Sequence, residues 1–411
     1  MTMVHTKKEK AKASRADAYI KQDAKYGAQN YAPLHVVLER GKGVFVWDVD
    51  GKRYFDMLSA YSALNQGHNH PRIIAAAKAQ MDKLCLTSRA FYNDRMGDFM
   101  EKLCKIAGKE KVLLMNSGAE GVETAIKAMR RWGYDVKGIP KDKAEIIVCE
   151  ENFHGRTSTI VGFSTDPDSY EGYGPAMPGF KIIPYDDPMA LEKAITPNTC
   201  GFLVEPVQGE AGVKVPSADY LNKVREICTR NHVLLCTDEI QTGFGRTGKM
   251  FCFQHNRIEP DIIVMGKALS GGVYPISGIA CDDAIMSVFK AGTHGSTYGG
   301  NPLASAIGIA ALDVLVEEKL AENSAKMGAY FRSKLDSLEH PKIARRRNKG
   351  LLLAVEFNEP IAKPFCKKLM AHGLLAKDTH AVTVRFAPPL IITKEQVDEA
   401  FEIIQSALQE L

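Results

Sequence analysis

Two apolar runs that each end on a single charged residue constrain the fold of this 411-residue chain most strongly. The first run, residues 233–237, ends at Asp238, and the second, residues 262–265, leads through one glycine to Lys267. Short apolar runs of this kind are typical of buried parallel strands, and α/β folds place their chemistry where such strands end. We therefore expect Asp238 and Lys267 to stand at the same edge of one sheet.

An acid and an amine at one sheet edge are the groups that pyridoxal phosphate (PLP) requires of a protein. The acid would face the ring nitrogen of the cofactor, and the amine would face its aldehyde. Taken alone, the two residues fit many enzymes that use PLP.

The surrounding pattern predicts an α/β fold. Between about Pro71 and Ala304, strand-like runs alternate with helical stretches, which predicts a large domain with a mostly parallel central sheet covered by helices. Asp50 and Gly51, set between two extended runs, predict a hairpin. Beyond residue 304, a long helical pattern and shorter segments predict a smaller α+β domain. The predicted strands of the large domain are 111–115, 145–149, 201–204, 233–237 and 262–265.

The predicted pattern of strands and helices divides the chain into four segments. Residues 1–30 are predicted to form a solvated basic tail and the start of an N-terminal arm. Residues 31–70 form the arm and a hairpin that pack with the small domain, residues 71–304 the large PLP-binding domain, and residues 305–411 the C-terminal small domain. The basic triplet Arg345–Arg347 is expected in a solvated loop before a strand.

Charge and cysteine usage exclude several classes of protein. The net charge of +4 comes from 53 basic and 49 acidic residues spread along the chain, so no nucleic-acid partner is predicted. No apolar stretch approaches the ~18 residues that span a bilayer, so no membrane association is predicted. Nine cysteines without C-x-x-C spacing predict reduced thiols. The basic N-terminus lacks an apolar segment, which favours the cytoplasm over the mitochondrial matrix. No metal site is predicted.

Two further motifs follow predicted strands. Ser117 and Glu120 form a capping-box pattern after residues 111–115, and Gly118 allows a close backbone approach. Free N–H groups at a helix start bind anions, so Ser117, Gly118 and Ala119 could hold a phosphate; a plain capped helix also fits. Near residue 150, an aromatic ring, Phe153, could stack on a planar cofactor, although a core phenylalanine fits as well.

The glycine-rich stretch 243–248 matches a dinucleotide-binding fingerprint. Such a motif must open a helix, whereas residues 250–253 look extended, which argues against nicotinamide or flavin binding.

Residues 238–248 (DEIQTGFGRTG) and 266–269 (GKAL), taken together, resemble class III (subgroup II) PLP-dependent aminotransferases. The resemblance runs from about Tyr26 to the C-terminus, and it implies PLP transferase fold type I and a homodimer with shared active sites. Residues 26–31, 58–68 and 385–390 are most similar to members of the family that transfer the δ-amine of L-ornithine to 2-oxoglutarate.

The resemblance also implies roles around the cofactor. Lys267 would bond to the cofactor aldehyde and later carry a proton, and Asp238 would keep the ring nitrogen protonated. The remaining cofactor-binding residues would be Gln241 at the ring hydroxyl, Phe153 and Ile240 on the two ring faces, Ser117, Gly118 and Ala119 at the phosphate, and Thr297 at the phosphate of the partner subunit.

The same resemblance implies a substrate site. Arg156 would bind the α-carboxylate of ornithine, with Tyr31 nearby and Tyr61 shaping the pocket. Arg385 would bind the α-carboxylate of 2-oxoglutarate, and Glu205 is expected to pair with Arg385 while ornithine reacts. One departure is visible, because His154 stands where a bulky residue such as tryptophan is expected.

Three alternatives remain open from the sequence. The first is an aminotransferase of the same family acting on N-acetylornithine or 4-aminobutyrate. The second is an isomerising PLP enzyme of the same fold, and the third is a binding protein without cofactor. Intact Lys267 and Asp238 argue against the third.

Overall fold

The computed structural model describes residues 15–411. Residues 1–14 of the segment predicted as tail and arm lie outside this range, while Arg15–Tyr26 of the same segment is a helix. Within the described range, no helix is long and apolar enough to cross a membrane.

The described residues contain fifteen strands arranged in three sheets. In chain order they are β1 Leu38–Lys42, β2 Phe45–Asp48, β3 Arg53–Asp56, β4 Lys111–Met115, β5 Glu145–Cys149, β6 Phe180–Ile183, β7 Thr199–Val204, β8 Leu234–Asp238, β9 Ile262–Met265, β10 Ser277–Cys281, β11 Ile343–Lys349, β12 Leu352–Phe357, β13 Leu374–Leu375, β14 Lys377–Thr379 and β15 Thr383–Phe386.

The central sheet has seven strands in the order β4-β10-β9-β8-β7-β5-β6. Strand β10 runs antiparallel to both neighbours, and the other pairs are parallel. The predicted α/β fold with a mostly parallel central sheet is therefore confirmed. The predicted hairpin forms between β2 and β3, and β3 also pairs with β13 from the C-terminal part. The third sheet is β11-β12-β15-β14.

Helices cover both faces of the central sheet, and several of them begin at capping residues or prolines. Asn301, for example, accepts a hydrogen bond from Ala304 N and is followed by Pro302. Besides Arg15–Tyr26, the helices are Pro71–Met81, Met96–Ala107, Gly118–Asp135, Ser158–Val161, Pro167–Tyr170, Pro188–Ala194, Tyr220–Arg230, Asp283–Met286, Pro302–Glu317, Leu320–Asp336, Ala362–Ala371 and Lys394–Gln409, with short 3₁₀ turns at Cys252–His255 and Lys267–Ser270.

Alternation along the strands explains the two layers of core. On β5, Ile146 and Val148 face one apolar cluster, while Ile147 and Cys149 face the other. Successive side chains of a strand point to opposite faces, so a strand apolar at every position must be covered on both sides. Helix Gly118–Asp135 packs in the first cluster and helix Tyr220–Arg230 in the second.

Two local predictions were wrong. The triplet Arg345–Arg347 lies inside β11 rather than in a loop, because β11 pairs along its length with β12 and Arg347 bonds to Glu356 across the pair. Residues 250–253 do not form a strand, although Phe251 itself has an extended backbone. Cys252 and Phe253 begin a 3₁₀ turn, and their N–H groups donate to the buried carboxylate of Glu239.

The predicted domain limits remain a proposal. The limit at residue 304 falls inside helix Pro302–Glu317, which packs against helices of the N-terminal half.

Candidate active site

The candidate site lies along the carboxyl edge of the central sheet. Asp238 is the last residue of β8, Lys267 follows β9 after one glycine, and Glu205 follows β7 directly. The turns after β4 and β5 begin at the same edge because these strands run in the same direction as β7, β8 and β9. The expectation that Asp238 and Lys267 stand at one sheet edge is met.

These turns enclose a cavity of about 190 Å³. Eight of the sequence-predicted site residues line it, and they follow the ends of five different strands. The full lining is Gly118, Ala119, Phe153, His154, Gly155, Glu205, Val207, Glu210, Asp238, Ile240, Gln241, Thr242 and Lys267.

Asp238 is held in place on both carboxylate oxygens. Its Oδ2 lies 2.7 Å from Nδ1 of His154, and its Oδ1 accepts a hydrogen bond from the backbone N–H of Ile240 at 3.0 Å. Both side chains are buried. Burial lowers the pKa of His154, but the hydrogen bond and the charge of Asp238 outweigh it, so the pKa is raised. The contact with Asp238 therefore favours the protonated form of His154, and the hydrogen bond orients the Asp238 carboxylate.

Lys267 presents an amine to the cavity from a strained backbone position. Its φ of 45° lies in the left-handed region, which an L-residue adopts only when the surroundings impose it. Burial lowers the pKa of its ammonium group, although the nearby carboxylate of Glu210 opposes that shift. A lowered pKa favours the neutral amine, which is the nucleophilic form.

The helix after β4 begins with the predicted capping box. Ser117 Oγ accepts a hydrogen bond from Glu120 N, and the Glu120 carboxylate accepts one from Ser117 N at 2.8 Å. The Ser117 hydroxyl is thus used by the cap and lies outside the cavity lining, while Gly118 and Ala119 line the cavity. A helix start with its N–H groups beside a cavity is a ready site for an anion.

Arg385 is the most deeply buried cation of the site, with 1% of its surface exposed. Its Nη1 donates to Glu210 Oε1 at 2.7 Å and to the carbonyl oxygen of Gly209 at 2.9 Å. Gln241 Nε2 donates to the same Glu210 oxygen at 2.9 Å. One carboxylate is therefore shared by an arginine and an amide.

The prediction that Glu205 pairs with Arg385 is wrong. The chain turns back after β7 through an isolated bridge between Gln208 and Lys214, which brings Glu210 to Arg385. Glu205 stays at the strand end and accepts a hydrogen bond from Phe153 N at 3.1 Å.

The two glutamates have opposite electrostatic environments. Burial raises the pKa of Glu205 to about 8. Burial also raises the pKa of Glu210, but the charges of Arg385 and Lys267, with hydrogen bonds from Arg385 and Gln241, outweigh it and bring the pKa to about 2. At neutral pH, Glu205 is mostly protonated and Glu210 is ionised.

Apart from Glu205, the predicted substrate residues lie outside the cavity lining. Tyr61 places its ring 5.6 Å from the guanidinium carbon of Arg385. Arg156 is exposed, with its guanidinium 5.7 Å from the ring of Phe153, and Tyr31 is also exposed. Thr297 lies exposed in the loop before helix Pro302–Glu317. The roles of these residues remain predictions.

Sequence reasoning missed Glu210 and gave His154 no role. Two glutamates, Glu205 and Glu210, follow β7 within six residues, and choosing between them requires the path of the backbone after the strand. His154 carried a usable signal, because a histidine beside the stacking position at a strand end can reach the acid of the neighbouring strand. Among the described residues, no group of three potential metal ligands lies together.

The residues around the cavity fit PLP. The cavity offers an acid held by a histidine, an amine with a lowered pKa, and a helix start suited to a phosphate. Gln241 Oε1 is buried there without a hydrogen-bond partner, as expected of a polar group placed for a ligand.

Comparison with known proteins decides the family. The family model "Aminotransferase class-III" matches residues 26–408 of this chain. The chain belongs to the class III aminotransferases. It is 55% identical over 395 residues to an ornithine aminotransferase of Brevibacillus brevis, covering 96% of this chain and 99% of that protein.

Solved structures of the family share the fold. An ornithine aminotransferase from Toxoplasma gondii superposes with a TM-score of 0.95 at 45% identity, covering 97% of this chain and 96% of the other. An acetylornithine aminotransferase from Elizabethkingia anophelis gives a TM-score of 0.89 at 47% identity, covering 96% and 99%.

Proposed function

We propose that this protein is an L-ornithine δ-aminotransferase. It would transfer the δ-amino group of L-ornithine to 2-oxoglutarate and release L-glutamate 5-semialdehyde and L-glutamate. The names of the relatives support this proposal, and the arrangement around Arg385 carries it.

The observation that carries the proposal is the ion pair between Glu210 and Arg385. The carbon that carries the δ-amine of ornithine has no carboxylate attached, whereas the reacting carbon of 2-oxoglutarate is bonded to one. A bare arginine near the amine of Lys267 would draw the α-carboxylate of ornithine to the wrong place. Glu210 covers Arg385 during the first half-reaction and must release it for 2-oxoglutarate. A difference of ~2.7 kcal/mol between the two states gives about 100-fold discrimination.

When bound, PLP supplies an electron sink for the carbon that carries the transferred amine. Lys267 would bind its aldehyde and then move a proton between the reacting carbons, a role that its lowered pKa suits. Asp238, held by His154, would hold the proton on the ring nitrogen. Gly118 and Ala119 would bind the phosphate, with Ser117 fixing their turn, and Phe153, Ile240 and Gln241 would orient the ring.

The far end of the substrate would be bound by polar residues outside the cavity lining. Arg156 suits a carboxylate because its guanidinium can bind both oxygens at once. Tyr31 and Tyr61 would contact the α-amino acid head of ornithine. The distal carboxylate of 2-oxoglutarate would use the same arginine, so one site serves both substrates in turn.

We also propose a homodimer in the cytoplasm, in which Thr297 reaches the phosphate bound by the partner subunit. The exposed position of Thr297, away from the cavity of its own chain, is consistent with that arrangement.

A donor panel tests the proposal. The purified protein should carry out the reaction with L-ornithine and depend on added 2-oxoglutarate for repeated turnover, and Lys267→Ala should abolish it. N-Acetylornithine and 4-aminobutyrate are the matched donors. Production of semialdehyde from acetylornithine but none from ornithine would overturn the substrate assignment.

An acetylornithine aminotransferase is the second candidate. The Elizabethkingia anophelis protein of that name resembles this chain over nearly its full length, at 47% identity. The donor panel separates the two candidates directly.

A further inference from the structure

Four consecutive residues after β3 adopt a left-handed backbone turn. Ser59, Ala60, Tyr61 and Ser62 have φ angles of 50°, 47°, 61° and 73°. None is a glycine, and L-residues avoid this region because Cβ approaches the following carbonyl oxygen. At Ala63 the backbone returns to the right-handed region, with φ of −82°. This run of left-handed residues carries Tyr61, one of the predicted substrate residues.

Tertiary contacts hold the chain before the turn. Asp56 Oδ1 accepts hydrogen bonds from Leu58 N at 2.9 Å and from Ser59 N at 2.8 Å. Asp56 Oδ2 lies 2.7 Å from Nε2 of His68. Met57 is bonded through its backbone to the C-terminal part of the chain, which also carries Arg385.

The chain after the turn is anchored as firmly. Asn65 is buried, donates to the carbonyl oxygen of Phe244 at 2.8 Å and accepts from the buried Arg246 at 2.6 Å. Gln66 donates to the carbonyl oxygen of Ala268, the residue after Lys267. Residues on both sides of the turn are therefore fixed by hydrogen bonds, and some of these bonds reach segments that carry Lys267 and Arg385.

The turn's own serines do not explain its shape. Ser59 Oγ and Ser62 Oγ are both buried and have no hydrogen-bond partner. A strained conformation with unpaired hydroxyl groups persists only because its surroundings impose it, and such strain concentrates at functional sites.

The left-handed turn determines where the Tyr61 side chain lies. Its half-buried ring lies 5.6 Å from the Arg385 guanidinium, and its carbonyl oxygen accepts from Gln241 Nε2 at 3.4 Å. Gln241 also donates to Glu210. Both members of the Glu210–Arg385 pair are therefore connected to Tyr61, Arg385 directly and Glu210 through Gln241.

We propose that the left-handed turn Ser59–Ser62 is a positioning element for substrate choice, which holds the Tyr61 ring against Arg385 and so limits access to that guanidinium. The proposal rests on the proposed function. Loosening the turn would expose Arg385 and favour donors with a carboxylate beside the transferred amine, such as L-glutamate, over L-ornithine.

Three variants of the holoenzyme test the proposal. Ala60→Gly removes the side chain that defines the left-handed strain, and Ala60→Asn keeps a side chain that tolerates this region. Ala63→Gly makes the same chemical change at the neighbouring right-handed position. The readouts are the single-turnover half-reaction rates with L-ornithine and L-glutamate and the thermal unfolding midpoint.

For Ala60→Gly, the ornithine-to-glutamate rate ratio should fall by about threefold or more, because glycine frees the segment. Its unfolding midpoint should stay at or above that of the wild type. For Ala60→Asn and Ala63→Gly the ratio should stay within about threefold, and Ala63→Gly should lower the midpoint because glycine adds unfolded-state freedom.

An unchanged ratio in Ala60→Gly, or an equal fall in either of the other variants, overturns the proposal. If the wild-type enzyme shows no half-reaction with L-ornithine, the proposed function is contradicted instead. In that case the proposal for the turn is tested by the L-glutamate half-reaction rate alone. This rate should rise in Ala60→Gly and not in Ala63→Gly.

Discussion

Glu205 and Glu210 show how strongly local contacts decide the behaviour of identical side chains. Glu205 is buried at a strand end with one backbone donor and the carboxylate of Asp238 nearby, so its proton is retained. Glu210 has Arg385, Lys267 and Gln241 around it, so its charge is retained. One residue acts as a neutral packing group and the other as a counter-ion.

The pH dependence of stability follows from these shifts. The pKa of Glu210 is lowered from 4.5 to about 2, so its contribution is present above pH 4.5 and is lost as the pH falls toward 2. The pKa of Glu205 is raised from 4.5 to about 8, so its contribution is present below pH 4.5 and is lost as the pH rises toward 8.

Glutamine variants separate the two effects in unfolding curves measured across this pH range. Glu205→Gln mimics the protonated side chain and does not titrate, so its stability should lie within about 0.5 kcal/mol of the wild type near pH 4.5. The loss of stability that the wild type shows as the pH rises toward 8 should be smaller in this variant. Glu210→Gln leaves Arg385 without its counter-ion and should cost about 3 kcal/mol at neutral pH. Equal effects of the two variants would contradict the assignment.

At the scale of elements, strand ends were the predictable part of the site. Asp238 and Lys267 could be placed together because apolar runs of strand length have few alternative structures, and parallel strands share their carboxyl edge. The capping box at Ser117 could also be predicted from the sequence, because it depends only on Ser117 and on Glu120 three residues later.

The parts that depend on long-range contacts could not be read from sequence. Glu210 reaches Arg385 only because the segment after β7 folds back. The left-handed residues Ser59–Ser62 have no local signal, because serine, alanine and tyrosine all prefer other regions and the strain is imposed by distant anchors. Arg347 lies in a strand rather than in a loop because β11 pairs with β12, whose Glu356 bonds to the Arg347 guanidinium.

Two capping boxes give a matched test of the phosphate turn. Ser117 caps the helix beside the cavity, and Thr393 caps helix Lys394–Gln409 by the same pair of bonds. Ser117→Ala and Thr393→Ala should each cost about 1 kcal/mol of stability. Only Ser117→Ala should also weaken cofactor retention, measured by dialysis against buffer without PLP. Equal PLP retention in the two variants would contradict the proposal that the turn at Ser117 forms the phosphate site.

At the scale of the whole molecule, exposed aromatic residues lie beside the loop that carries Thr297. Tyr92 is 95% exposed and Phe91 71%, and the neighbouring Asn93 donates to the carbonyl oxygen of Gly300 at 3.2 Å. Large exposed aromatic side chains grouped in this way mark an interaction surface. A second copy of the chain seated here would bring Thr297 toward the partner's site.

Sedimentation analysis tests this arrangement. Tyr92→Glu should convert a dimer into a monomer and lower activity by about tenfold or more, because burying an unpaired charge at an interface is unfavourable. Tyr173→Glu, at another exposed aromatic residue, should leave both properties unchanged. A wild-type monomer with full activity would contradict the shared site.

The central claim is that Glu210 controls access to Arg385, and single-turnover rates with L-ornithine and L-glutamate test it most directly. In Glu210→Ala, the ratio of the L-ornithine rate to the L-glutamate rate should fall by about 10- to 100-fold, since each tenfold corresponds to ~1.4 kcal/mol. Glu205→Gln is the control and should leave the ratio within about threefold of wild type. An unchanged ratio in Glu210→Ala, or an equal fall in Glu205→Gln, would contradict the account.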